Sequence, residues 1–111
     1  MATLDRTAMI DLVLERVGVL GIGQTATAKD AALTGKLLDS VHDQLLAQGL
    51  ASFSLASVPM WAQDGLAMCA QESVGPYFGL PAPGARQAGE RSLRLQMHVE
   101  RRSRPVEATY F

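Results

Sequence analysis

The side chains able to do chemistry in this sequence are one thiol, Cys69, two imidazoles, His42 and His98, and scattered carboxylates. A reactive thiol needs a base or cation to make thiolate. None stands beside Cys69 in the chain, so Cys69 reads as a small core residue. A zinc site needs three or four protein ligands, which two distant histidines and one cysteine do not supply. The histidines therefore read as surface or boundary residues, and Glu72, in an apolar stretch, as a carboxylate turned to solvent. Gly21-Ile22-Gly23 could be read as a phosphate cradle, but it follows a helical pattern instead of a strand and lacks a following Gly-Lys-Ser/Thr. No nucleophile stands at a readable spacing from a base, so the expectation is a protein that is not an enzyme and uses no metal or cofactor.

The one concentrated chemical feature is charge. The 111 residues carry a net charge of -1, but residues 1–80 hold four basic and eight acidic side chains, while 81–111 hold six basic and three acidic ones. All six are arginine: Arg86, Arg91, Arg94, Arg101, Arg102 and Arg104. Such a stretch is either a solvated helix face or a docking surface for something acidic, for which a neighbouring copy's acidic first part is one candidate.

Four elements have to position these groups. Ile10, Leu14 and Val17, with Met9 and Val13 beside them, make a helix over 4–17 that Thr3 can cap and Gly18 can end. Residues 18–26 read as a loop. Thr27 with Asp30 resembles a capping box and opens a helix over 27–48, its row Leu33, Leu37, Val41 and Leu45 flanked by Leu38 and Leu46, with Gly49 after it. Residues 50–58, serine-rich and partly alternating, predict an extended link or one short strand. Pro59 suits the start of a third helix over 59–75, with Ala62, Leu66, Cys69, Ala70, Ser73 and Tyr77 in one stripe. Gly75-Pro76 bends or ends it, and the turn at 79–84 leads to a fourth helix over 85–101, with Ala85, Ala88, Leu93, Leu95, Met97 and Val99 among the arginines. Pro105 stops that helix, leaving Val106 to Phe111 with two terminal aromatics. Free ends are usually polar, so Tyr110 and Phe111 read as anchors that order on a partner.

The fold class expected is mainly α, a four-helix bundle over 1–104 with an extended link near 50–58 and an extended C-terminal tail over 105–111. Hydrophobic residues are 48% and charged residues 19%, a greasy composition for so small a chain, which predicts apolar surface facing other subunits. No run is long and apolar enough for a membrane span or a secretory signal, so the expectation is a soluble protein made in a reducing compartment.

The order of these elements, with the residues at their joints, resembles the head-to-tail adaptors of tailed bacteriophages, also called tail accessory factors or packaged-DNA stabilisation proteins. The resemblance rests on Asp11-Leu-Val-Leu-Glu-Arg-Val-Gly-Val19, on the run from Leu37 to Gly49, on Ala70-Gln-Glu-Ser-Val-Gly-Pro-Tyr-Phe78, and on the Arg-rich last helix and tail. Leu46-Ala47-Gln48 stands where members often carry an aromatic, and the longer C-terminal extension of some members is missing.

The resemblance implies a virion protein of the head-tail junction, synthesised in the bacterial cytoplasm. It implies a homo-oligomeric ring, commonly of twelve copies, bound beneath the portal protein of a filled head, retaining packaged DNA and offering a platform to the next tail component, a nozzle or a tail-tube terminator. Arg94, Arg101, Arg102, Arg104, Val106, Tyr110 and Phe111 are the candidate contacts with portal or neighbouring subunit, with nonspecific contact to packaged DNA and none to membrane. The alternative is a small helical nucleic-acid-binding protein working through the same arginines. Against it stand the net charge of -1 and the lack of a base-reading module.

Overall fold

The computed structural model describes residues 3–21 and 23–103, the last three by backbone alone. It is mainly α: α1 (Arg6–Val17), α2 (Ala28–Ala47), α3 (Met60–Val74) and α4 (Ala85–Ser103), with a 3-10 turn at Gly75–Phe78. α3 is the element on which α1, α2 and α4 all pack, and α1 also packs on α2.

Local chemistry explains the helix ends. α1 begins later than the sequence predicts, and its cap is Asp5, whose Oδ1 accepts the Ala8 N–H at 2.8 Å, instead of Thr3. The reason lies just before it. Leu4 is held extended by a two-way backbone bridge to Val58, with N–H to O distances of 3.0 and 2.7 Å. At the other end Gly18 takes φ 101°, a left-handed conformation that costs glycine little, and its N–H reaches the carbonyls of Leu14 and Glu15. Thr27 caps α2 as expected, accepting the Asp30 N–H at 3.2 Å. Pro59 precedes the first residue of α3.

The core joins Met9, Ile10, Val13, Leu14 and Val17 of α1 to Leu38, Val41 and Leu45 of α2 and to Ala62, Leu66, Ala67, Cys69, Ala70 and Val74 of α3. The buried stripe of α2 runs through Thr34, Gly35, Leu38, Val41, His42 and Leu45, so it is turned from the predicted row: Leu33 and Leu37 are only half-buried and Leu46 is exposed. Gly35, on that buried stripe, lets α1 come close. The Arg6 guanidinium lies where a Gly35 Cβ would point, 2.5 Å from that position, and makes two 3.0 Å contacts with Asp39, which draws this side of α2 against α1.

His42 is not the surface or boundary group the sequence suggests. It is buried, and its Nε2 donates to the Phe53 carbonyl oxygen at 2.7 Å. Phe53 in turn meets Trp61 edge-on, ring centroids 5.8 Å apart. These contacts, with buried Leu50 and Ala51, hold 50–58 in an irregular extended path whose one ladder contact is at Val58. Tyr77 departs from the predicted stripe of α3. It is 63% exposed, because the 3-10 turn replaces the last α-helical turn and rotates the chain away from the core.

Candidate interaction surface

α4 is assembled differently from the other helices. It buries one large apolar side chain, Leu93, where it crosses α3 at two glycines. A Cβ on Gly65 would stand 2.8 Å from the Leu93 side chain, and one on Gly89 would stand 2.6 Å from both Cys69 Sγ and the Gly65 carbonyl oxygen. The helices therefore touch through backbone, an approach that only glycine permits.

Polar contacts lock the first turns. Glu72 Oε1 accepts the Arg86 N–H at 3.2 Å. Glu72 thus serves the start of α4 instead of facing solvent, supplying an acceptor to one of the N–H groups that every helix start leaves unpaired. Arg86 donates from Nε to Glu90 Oε2 at 2.9 Å and from Nη1 to Gln44 Oε1 at 2.7 Å, so one side chain ties α4 to itself and to α2. Cys69 Sγ donates to the Arg86 carbonyl oxygen at 3.6 Å. Burial pushes this thiol up to about 11, with the Arg86 charge pulling in the opposite direction. The core reading of Cys69 agrees with its complete burial, but a basic neighbour does stand close, brought there by folding.

From Arg94 to Glu100 the helix adds no buried residue to the core. Leu95 is 60% exposed and Val99 49% exposed, and Ala88 is exposed as well. Ala88, Ser92, Leu95 and Val99 follow one another at steps of four, three and four, so they share one side of α4. Arg91 and Arg94 are exposed around that strip, and neither has an ion-pair partner among the described residues. Next to the strip lies an open groove of about 520 Å³ between α4 and the start of α3, lined by Met60, Trp61, Asp64, Ser92, Gln96 and Glu100 together with Thr3 and Pro59.

Of the candidate contacts read from sequence, Arg94 lies on this exposed side, while Arg101 and Arg102 fall in the last turn of α4. Arg104, Val106, Tyr110 and Phe111, with the rest of the predicted tail, lie outside the described residues. Sequence reasoning named Leu95 and Val99 only as apolar residues among the arginines of the last helix, without placing them on the surface, and did not single out Met60. The four-three-four spacing was readable. The glycine crossing that turns the strip outward was not.

No protein-family model matches this chain, no curated protein matches it, and no solved structure matches it. Among the described residues no group of three or more His, Cys, Asp or Glu is placed to hold a metal ion, and no helix is long and apolar enough to cross a membrane.

Proposed function

We propose that this protein is a structural head-to-tail adaptor of a tailed bacteriophage, binding in multiple copies beneath the portal, retaining packaged DNA and carrying the next tail component. The observation that carries the reading is α4. Its first turns are bound to α2 and α3, while its second half offers Leu95, Val99 and Arg94 to solvent. Exposed apolar side chains at helical spacing, bordered by cations, suit a surface that a partner covers. The resemblance of residues 11–19, 37–49 and 70–78 to the adaptor family names the partners: portal, neighbouring copies and the following tail protein. Ring closure then lets many small contacts act together. The test is light scattering on the purified protein with and without portal. A portal-dependent rise to a multi-copy complex is expected, and no change in mass on adding portal refutes the reading.

Arg91 and Arg94, exposed and without ion pairs among the described residues, favour one second reading, direct binding of nucleic acid. That reading requires affinity for bare DNA that falls steeply with salt.

A further inference from the structure

Two helix faces of this molecule are complementary. On α1, Asp11 and Glu15 stand with Ala8 and Leu12 at spacings of three and four, and this side is turned away from the buried Met9, Ile10, Val13, Leu14 and Val17. Glu15 is exposed, whereas Ala8, Asp11 and Leu12 are half-buried, Leu12 packing in part against the core, and neither carboxylate has an ion-pair partner among the described residues. On α4, Arg91 and Arg94 stand with Ala88 and Leu95 in the same kind of arrangement with the opposite sign. Each face carries two like charges without an ion-pair partner among the described residues, beside an alanine and a leucine that are exposed on α4 and half-buried on α1.

We infer that the α4 face of one copy, Arg91, Arg94 and Leu95, docks on the α1 face of a second copy, Asp11, Glu15 and Leu12. This rests on the reading of α4 as an assembly surface and names its partner. The two faces belong to different helices, so the contact is heterologous: each copy that uses its α4 face leaves its α1 face open to another. Such pairing produces rings or open chains, not closed two-fold dimers. Because Glu15, Arg91 and Arg94 are exposed in the single copy, salt weakens the contact.

The test uses two charge-reversed forms of the full chain, Arg91→Glu with Arg94→Glu, and Asp11→Arg with Glu15→Arg, after circular dichroism shows that both fold. Sedimentation velocity over a concentration series at low salt is expected to show the unmodified protein gaining mass with concentration, and each reversed form staying monomeric. Mixing the two forms is expected to restore association, since each then meets an opposite charge on the other. Unmodified protein that remains monomeric throughout, reversed forms that associate like the parent, or a mixture that fails to regain mass would each overturn the inference. Portal attachment of the same forms is read separately. Reversed forms that associate like the parent yet attach to portal would sink this pairing while leaving the adaptor function standing.

Discussion

α2 and α4 are nearly equal in length, 20 and 19 residues, yet they are held by different forces. α2 buries Leu38, Val41 and Leu45 together with His42, so it is fastened mainly by apolar area removed from water. Among the described residues Leu93 is the one large apolar side chain that α4 buries, and the helix relies on a backbone-close crossing at Gly65 and Gly89 and on the contacts around Arg86. The difference shows how one small chain can keep a helix both attached and available. Glycine contact and polar locking occupy little of a helix's circumference, which leaves an apolar, cationic side exposed.

The comparison is broken hardest by emptying α2. Leu45→Ala or Leu38→Ala is expected to cost about 2–5 kcal/mol in urea unfolding, because each deletes a fully buried side chain and leaves a cavity. The neighbouring Leu37→Ala, at a half-buried position, is expected to cost roughly 1–2 kcal/mol. Equal losses at 37 and 38 would contradict the observed phase of α2.

Gly89→Ala attacks α4 through its own mode of attachment. The added methyl meets Cys69 Sγ and the Gly65 carbonyl, so the helices must separate, at about 1–3 kcal/mol. Hydrogen exchange should quicken in α4 while α1 and α2 stay protected. Cys69, shielded in the parent, should become accessible to alkylation.

Cys69 supplies a pH test of the same contact. Its thiol is raised from the ordinary 9.0 to about 11 by burial, so between those values the unfolded chain has lost a proton that the folded chain retains. Stability contributed by keeping this thiol neutral is therefore whole below about pH 9 and declines as pH rises toward 11. Cys69→Ser should flatten that alkaline slope in melting curves.

The smallest effect on stability belongs to the exposed strip. Leu95→Ser is expected to shift unfolding by less than about 0.5 kcal/mol, as surface substitutions usually do. If the proposed adaptor function holds, its effect is seen in assembly on portal. A loss of folding stability comparable to that of Leu45→Ala would mean that α4 packs on the core along its whole length.

Much of the fold could be read from local pattern. The helices appear within a few residues of their expected limits, Thr27 and Gly18 cap where capping chemistry places them, and Gly75-Pro76 ends α3 in a tight turn. These features depend on neighbours within about one helical turn, which a single chain displays openly. Of the candidate surface, Arg94 was legible as an exposed cation, whereas the exposure of Leu95 and Val99 was not.

By itself, then, the sequence determined four helices, most of their ends, and the segregation of acidic from basic residues along the chain. The inward sides of α1 and of most of α3 were legible too, but tertiary structure alone decided that of α2. α2 carries apolar residues at 33, 37 and 46 as well as at 38, 41 and 45, so periodicity admits more than one phase, and packing in the common core with α1 and α3 buries 38, 41 and 45. Likewise Glu72 meets Arg86 across 14 positions and His42 meets Phe53 across 11. Such partners depend on where the chain reverses and how closely two glycines let helices approach, and no local propensity encodes that distance.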